Sequence, residues 1–398
     1  HYDPEIHSPK SVRFSADGKR VYVNSLEAAR TVIYDAMGFK KVGSIRHRFG
    51  AEDSGLFDRA RIYNYRFPST VKKPNVFSGK PVELETSHGG RYLWAPYYRR
   101  SFDENGTMPS AVAIIEASTN KIIRVMGTGP ISKYVKASPK GSWLAVSHWG
   151  DNTVGLIDIR GDDPSKFKRA SLLVVEKRLP LEGVEGDRDK LCGFCVRGLA
   201  FTPDERYLFV SRMKGGGLAV FDLAPTGARK KPKYLGSVFG ILPGPRDLEI
   251  AKDGQQLFLS CNASGFVARI PIEGLIASLA RNEAPDKRVE INRKALGVKV
   301  AYVGLGARSI RLSPDEKHLF VAVNQTSELV AVDTRTMKAE ARIPVDSYPV
   351  GLDISPDGLQ LWVTSQGRSA KGGNSVGVFQ IRYRTDEVVH GAVKSQPE

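Results

Sequence analysis

Five basic residues stand at matching positions of an internal repeat, and their chemistry suits the binding of anions. Each lies five residues before the small residue that opens a recurring turn, and the set is Lys10, Lys133, Arg197, Arg246 and Arg308. The two other matching positions hold Val82 and Val350. Because 59 of the 398 residues are Lys or Arg, seven random positions would hold one basic residue. Ammonium and guanidinium groups form charge-assisted hydrogen bonds with carboxylates and phosphates, so this excess predicts an anion-binding site.

Loops after the second strand of each repeat are expected on the same face of the molecule. His148, Trp149 and Arg212 lie in these loops, and we include them with the five basic residues as candidate ligand contacts. Basic residues mixed with aromatic residues are typical of surfaces that bind anionic sugars or single-stranded nucleic acid. The alternative is that the basic side chains only surround a channel rim and pair with neighbouring carboxylates. Those carboxylates would be Asp187, Asp189 or Asp247.

The charge of the whole chain favours anionic partners but does not identify one. The sequence has 59 basic and 43 acidic residues, a formal net charge of +16. Such a charge attracts anions over a long range. We expect an anionic small molecule or an acidic glycan, while nucleic acid stays open without support from any recognisable motif.

The other reactive residues form no recognisable catalytic or metal centre. Cys192 and Cys195 are a lone Cys-x-x-Cys pair with no following His, which excludes covalent haem attachment. A local disulfide, free thiols, or a three-sulfur cluster with Cys261 all stay open. The seven histidines lack metal-ligand spacing, and no phosphate loop, dinucleotide fingerprint or nucleophile elbow occurs. We therefore expect no catalytic residues, no metal and no cofactor.

Seven copies of one unit provide the elements that must position these residues. Each copy has an alternating apolar strand, a small residue, a turn rich in Pro, Asp and Gly, and a second strand, as at 309–323 and 351–365. Pro presets such a turn, while Asp and Gly supply hydrogen bonding and positive φ. A third strand follows every copy and a fourth often does. The sequence therefore predicts an all-β protein, a seven-bladed β-propeller of four-stranded antiparallel blades.

The whole chain is predicted to be one domain. The blades are expected at about 8–47, 80–131, 132–180, 194–243, 244–304, 305–346 and 347–386, with a long insertion at 48–79. A short helix is expected at 275–281. The last blade needs a fourth strand, which either terminal segment would supply.

The turns and strands resemble those of a known family. The Ser-Pro-Asp-Gly turn at 355–358, strands such as Val21-Tyr22-Val23-Asn24, and the segment Val-Asp-Thr-Arg-Thr-Met-Lys at 332–338 are similar to YVTN-type seven-bladed propellers. These include surface-layer and lactonase-like propeller proteins, and the resemblance covers nearly the whole chain. It implies the fold. It leaves the function open, since similar propellers serve as exported binding proteins, lactonases, haem-d nitrite reductases and amine dehydrogenase subunits.

We expect an exported, non-catalytic protein that binds an anionic ligand at a basic mouth of the central channel. One alternative is a lactonase-like hydrolase acting on an acidic sugar lactone, and another is a scaffold that docks a cell-envelope protein. No apolar run approaches the roughly 20 residues that span a bilayer, so a membrane-spanning protein is not expected. The first residues have no Met and no apolar signal region, which predicts a mature or trimmed chain and constrains the compartment only weakly. With the expectation of export, the location would be the periplasm or the cell surface.

Overall fold

A computed structural model describes residues 2–224, 231–369 and 371–383 of the chain. Within these residues seven sheets follow one another along the chain, and all but one of their strand pairs are antiparallel. The innermost strands of sheets 3 to 7 and of sheet 1 pack side by side around a central channel. The predicted seven-bladed β-propeller is therefore confirmed. No helix of the described residues is long and apolar enough to cross a membrane.

Blades 1 to 3 contain fourteen strands. Blade 1 has β1 (Pro9–Phe14), β2 (Arg20–Ser25), β3 (Arg30–Asp35) and β4 (Lys41–Arg46). Blade 2 has β5 (Arg48–Phe49), β6 (Phe77–Pro81), β7 (Glu85–Ser87), β8 (Tyr92–Arg100), β9 (Ala111–Glu116) and β10 (Lys121–Gly127). Blade 3 has β11 (Ser132–Ala137), β12 (Trp143–His148), β13 (Thr153–Asp158) and β14 (Lys168–Val174).

Blades 4 to 7 contain the remaining strands and the one α-helix of the described residues. Blade 4 has β15 (Val196–Phe201), β16 (Tyr207–Arg212), β17 (Leu218–Asp222) and β18 (Lys233–Phe239). Blade 5 has β19 (Pro245–Ile250), β20 (Gln256–Cys261), β21 (Phe266–Pro271), α1 (Ile272–Ala280), β22 (Arg288–Glu290) and β23 (Lys299–Tyr302). Blade 6 has β24 (Ala307–Leu312), β25 (His318–Val323), β26 (Glu328–Asp333) and β27 (Lys338–Pro344), and blade 7 has β28 (Pro349–Ile354), β29 (Gln360–Ser365) and β30 (Ser375–Gln380).

The repeated turn has a local hydrogen-bonding reason, which the turn of blade 6 illustrates. The Ser313 hydroxyl donates to the Asp315 carboxylate at 2.6 Å and accepts from the His318 backbone N–H at 3.0 Å. The same carboxylate accepts from the Lys317 N–H at 3.2 Å. A small hydroxyl residue and an Asp two positions later thus fix where the first strand ends and the second begins.

Two blades depart from the four-stranded plan by a broken or an added strand. In blade 2 the innermost strand is broken, because β6 and β7 both pair with β8 and leave Val82–Leu84 between them. In blade 4 a fifth strand, β22, pairs in parallel with β18 although it belongs to the insertion of blade 5. That insertion begins with α1, whose bounds of Ile272–Ala280 start three residues before the expected 275.

Packing and hydrogen bonds between blades 1 and 7 close the ring. The Phe14 N–H donates to the Asp353 carboxylate at 2.8 Å, and the Ser8 N–H donates to the Asn374 side chain at 2.8 Å. Blade 7 has three strands among the described residues. The described N-terminal residues 2–8 form no fourth strand in it, and Asp3 instead accepts a hydrogen bond from Tyr34 in blade 1. The C-terminal alternative and the expected blade end at 386 lie outside the described residues.

Candidate anion-binding site at the channel mouth

The five basic residues singled out in the sequence lie together at one mouth of the channel. We call them the basic ring: Lys10, Lys133, Arg197, Arg246 and Arg308. Each is the second residue of the innermost strand of its blade, on β1, β11, β15, β19 and β24. The acidity of Lys10 reflects how close together they lie. Burial has the largest effect on the pKa of Lys10, and the positive charges of the other four residues add to it, so that this pKa is well below the usual value. The repeat register therefore placed these five side chains correctly in space.

Serine hydroxyls hold the backbone of the ring from the neighbouring blades. The Ser211 hydroxyl, at the end of the second strand of blade 4, donates to the Arg246 carbonyl of blade 5 at 2.7 Å. Ser260 makes the same contact from blade 5 to the Arg308 carbonyl of blade 6 at 2.5 Å. Each hydroxyl also accepts a backbone N–H of its own blade. The spacing of the guanidinium groups is thus set by the packing of one blade on the next.

Two of the five cations have carboxylate partners. Lys133 Nζ lies 2.6 Å from Asp189, which belongs to the long connection between blades 3 and 4. The Arg197 guanidinium lies 2.5 Å from Glu83, in the break of the innermost strand of blade 2. Asp189 is one of the three carboxylates that the alternative interpretation of the sequence named, whereas the Glu83 pairing was not anticipated. These two carboxylates neutralise only part of the basic ring.

The other three cations contact neutral acceptors. Lys10 Nζ lies 3.4 Å from the Gln366 amide oxygen, and the Arg308 guanidinium donates to the Val350 carbonyl at 3.2 Å. Arg246 lies 3.3 Å from the Met213 sulfur. Among the described residues no carboxylate oxygen lies within 4.0 Å of these three cations. Blades 1, 5 and 6 therefore present an uncompensated positive charge at the mouth.

Burial of the basic ring changes the acidity of its members. Burial lowers the pKa of Lys133 to about 8, even though Asp189 opposes the shift. Burial and the charge of Arg197 lower the pKa of Arg308 to about 10. Like charges in a low-dielectric site disfavour one another, and a bound anion would relieve that cost.

Trp149 lies at one side of the mouth, beside Lys133. Lys133 Nζ is 4.8 Å from the centre of the Trp149 ring and 4.4 Å from that of Tyr98. The Trp149 indole N–H donates to the Asp189 carbonyl at 2.9 Å. The two aromatic rings and Asp189 thus enclose the ammonium group of Lys133.

A second layer of charges, three residues further along the same strands, forms a floor beneath the basic ring. We call it the charge ring, and its members in order around the channel are Arg13, Glu85, Lys136, Glu249, Arg311 and Asp353. The nitrogen-to-oxygen distances between successive members are 3.2, 3.6, 3.9, 2.8 and 3.2 Å. Asp353 lies 3.5 Å from Arg13, which closes the ring. Blade 4 contributes Ala200 at this level, so Lys136 reaches across it to Glu249. Positive and negative charges alternate, and the floor is neutral as a whole.

The charges of the charge ring favour the ionised forms of Glu85 and Arg311. Burial alone would raise the pKa of Glu85, but Arg13 and Lys136 outweigh burial and hold it below the ordinary value. Burial alone would lower the pKa of Arg311, but Glu249 and its other anionic neighbours raise it well above the usual value. We did not anticipate this layer from the sequence, although the alternating signs at one repeat position would have revealed it.

His148 does not lie at the mouth, contrary to the sequence prediction. Its side chain is fully buried in blade 3, where Nε2 accepts the Gly129 N–H at 3.0 Å and Nδ1 lies 2.8 Å from the Thr153 hydroxyl. That hydroxyl donates to Asp151 at 2.7 Å, and Tyr65 of the 48–79 insertion donates to the same carboxylate at 2.7 Å. Burial lowers the pKa of His148 to about 3, so the ring is neutral. His148 positions the hairpin of blade 3 and is withdrawn as a ligand contact.

Arg212 is also withdrawn as a ligand contact. Its side chain is 2% exposed and pairs with Glu176. The guanidinium carbon lies 3.9 Å from the centre of the Phe194 ring and 4.8 Å from that of Phe239. Because the guanidinium is buried against two aromatic rings and paired with a carboxylate, Arg212 is a packing residue between blades 3 and 4.

The cysteine pair forms a local disulfide. Cys192 is bonded to Cys195 in the connection that also carries Asp189. Cys261 is a free, buried thiol whose pKa burial raises. The three-sulfur cluster considered from the sequence is therefore wrong, because two of its sulfurs are bonded to each other.

Comparisons with known proteins agree with this architecture. Residues 69–369 match the family described as lactonase, 7-bladed β-propeller, and the resemblance to lactonase-like propellers is thereby confirmed. Among curated proteins none matches the chain in sequence. Hydrazine synthase from Kuenenia stuttgartiensis superposes with a TM-score of 0.60 at 14% identity, over 96% of this chain and 97% of that one.

Two further solved structures have the same fold. The Cps50 (Swd1) β-propeller domain from Myceliophthora thermophila superposes with a TM-score of 0.60 at 14% identity, over 94% of this chain and 97% of that one. A functionally unknown protein from Desulfotomaculum acetoxidans superposes with a TM-score of 0.53 at 14% identity, over 85% of this chain and 86% of that one. Identities this low support the fold and not a shared activity.

Proposed function

The chain belongs to the family of seven-bladed β-propeller lactonases, and from this premise we propose that it is a non-catalytic protein that binds an anionic ligand at the basic ring. One observation carries the proposal: three buried or half-buried cations, Lys10, Arg246 and Arg308, meet at the mouth and contact neutral acceptors. The neutral charge ring beneath them supplies no compensating charge. A bound anion would neutralise these positive charges, and the site would in turn stabilise the bound anion.

We also propose that the protein is exported. The Cys192–Cys195 disulfide supports this location, because disulfides persist mainly in oxidising compartments. The ligand would then be an anionic small molecule or acidic glycan met outside the cytoplasm.

A panel of anions in a thermal-unfolding screen tests the binding proposal. A ligand present at a hundred times its dissociation constant stabilises the folded protein by about 2.7 kcal/mol, which is a visible shift of the melting temperature. We expect the shift to disappear in the double variant Arg246→Met/Arg308→Met. The matched control is Lys317→Met/Arg335→Met, which removes the same charge from exposed positions on the opposite face. Equal shifts in both variants would contradict the proposal.

Hydrolysis of an acidic sugar lactone is the second candidate. It is favoured by the family match and by the two carboxylates at the mouth, Glu83 and Asp189. Both are paired with cations, which is why binding without turnover is our first proposal. Hydrolysis of a lactone panel that is lost in Glu83→Gln or Asp189→Asn, with binding retained, would establish the enzyme instead.

A further inference from the structure

We propose that the mouth selects a dianion, held by Lys10, Arg246 and Arg308, and that Lys10 takes up a proton when the dianion binds. This inference rests on the proposed function and adds the charge of the ligand and a pH dependence to it. It concerns one half of the mouth, formed by blades 1, 5 and 6.

The surroundings of Lys10 disfavour its charged form in the free protein. Its amine has a single acceptor among the described residues, the Gln366 amide oxygen at 3.4 Å. The Gln366 amide N–H donates to the Ser8 hydroxyl at 2.7 Å, which turns the amide oxygen toward Lys10. An amide oxygen replaces only part of the hydration that a buried ammonium group loses.

Cations face Lys10 from the inner strands of four other blades. They are Arg308 on β24, Arg246 on β19, Arg197 on β15 and Lys133 on β11. Burial and these four charges lower the pKa of Lys10 well below its usual value. Arginine does not give up its proton in this pH range, so the lysine amine is the group that relieves the repulsion.

The nearby carboxylates are engaged elsewhere. Glu83 pairs with Arg197, and Asp189 pairs with Lys133. Asp247 accepts the Tyr134 hydroxyl at 2.6 Å and the Ile310 N–H at 3.0 Å, and so points away from the mouth toward the charge ring. Lys10 is therefore without an anionic partner among the described residues.

A dianion fits the charge of this half of the mouth better than a monoanion. The two guanidinium groups of Arg246 and Arg308 would be neutralised by two negative charges, and the protonated amine of Lys10 then gains a favourable partner. A monoanion would leave one of the two guanidinium groups without a negative charge beside it. It would also favour protonation of the Lys10 amine less than a dianion does. Sulfate, phosphate and dicarboxylates share the required chemistry.

Calorimetric titration with sulfate tests the inference, because sulfate keeps its charge of −2 between pH 6 and 9. Titrations at constant ionic strength in buffers of different ionisation enthalpy count the protons taken up. We expect up to one proton per bound sulfate, and an affinity that falls up to tenfold for each pH unit above the pKa of Lys10 in the free protein. At pH 6 to 7, where Lys133 with its pKa of about 8 is already protonated, Lys10→Arg should bind sulfate with almost no proton uptake. The exposed control Lys140→Met should behave as the wild type.

Three results would overturn the inference while leaving the proposed function in place. These are saturable sulfate binding without proton uptake, uptake that survives in Lys10→Arg but is lost in Lys133→Arg, and binding of acetate as tight as that of sulfate or succinate. We expect sulfate or succinate to bind at least tenfold tighter than acetate, and comparison of these two dianions separates a tetrahedral oxyanion from a dicarboxylate. Absence of saturable binding for every anion would instead contradict the proposed function.

Discussion

Arg13 and Asp353 join the two ends of the propeller, since the Arg13 guanidinium lies 3.5 Å from the Asp353 carboxylate. Arg13 is on the first strand of blade 1 and Asp353 on the first strand of blade 7. Asp353 also accepts the Phe14 N–H and lies 3.2 Å from Arg311 of blade 6. One carboxylate thus links three blades at the point where the chain has no covalent connection.

We expect Asp353→Ala to lower the free energy of unfolding by about 2–3 kcal/mol, because the Phe14 N–H loses its acceptor and the half-buried Arg13 and Arg311 keep only their glutamate partners. Urea unfolding measures this loss. The control Asp286→Ala removes a carboxylate that is 62% exposed and should change stability by about 0.5 kcal/mol at most. A loss for Asp353→Ala no larger than that of the control would show that the charge ring does not stabilise the closure.

The blades could be predicted from the sequence because the residues that stabilise the turn of each blade lie close together in the chain. The hydroxyl of Ser313 and the carboxylate of Asp315 make their contacts within a few residues, so a local pattern reveals them. The basic ring followed from the same register, since equivalent positions of a repeat occupy equivalent places around a channel.

Contacts between distant segments could not be predicted in the same way. His148 was expected in a loop at the mouth, but it is the buried last residue of β12. Tyr65, 83 residues earlier in the chain, packs against it and shares its hydrogen-bond network. Glu83 reaches Arg197 only because the innermost strand of blade 2 is broken at that point. The copy of the repeat in blade 2 is the loosest, and a single sequence gives no sign of the break.

Stability should depend on pH through the buried histidines. Burial lowers the pKa of both His47 and His148 to about 3. These two imidazole rings therefore stay neutral in the folded protein down to about pH 3, whereas in the unfolded chain they bind protons below about pH 6.5. Acid therefore favours unfolding, and the free energy of unfolding falls by up to about 1.4 kcal/mol per pH unit for each histidine between pH 6.5 and 3. Denaturant unfolding at several pH values from 7 to 4 gives the free energy of unfolding as a function of pH. For His148→Gln this free energy should fall less steeply with decreasing pH, while the sulfate affinity at pH 7 is unchanged. An unchanged slope would mean that His148 is protonated in the folded state.

Labelling with a thiol reagent should distinguish the three cysteines. The folded protein should react slowly or not at all, because Cys261 is buried and the other two are bonded to each other. Unfolding without reductant should expose one thiol per chain, and unfolding with reductant should expose three. Mass spectrometry counts the labels, and three labels without reductant would contradict the disulfide. Replacing Cys192 and Cys195 together by Ala should cost about 2 kcal/mol of stability, since the disulfide closes a short loop.

Removal of Glu83 should strengthen anion binding. Glu83→Gln takes the charged partner from Arg197 and leaves a fourth uncompensated cation at the mouth. We expect sulfate to bind about three- to tenfold more tightly, because the added positive charge attracts the dianion through a medium of low dielectric constant. Calorimetry at fixed ionic strength measures the change, and Glu340→Gln, an exposed carboxylate on the outer strand of blade 6, is the control. Weaker sulfate binding in Glu83→Gln would indicate that Glu83 itself contacts the ligand or positions the ring.

The most direct test of an anion site at the mouth is the location of a bound oxyanion in crystals soaked in selenate. Anomalous diffraction at the selenium edge identifies the ion independently of water. Our account predicts a peak within about 4 Å of Lys10 Nζ and of the Arg246 and Arg308 guanidinium groups, the distance expected for charge-assisted hydrogen bonds to selenate oxygens. Peaks elsewhere on the surface together with none at the mouth would contradict it.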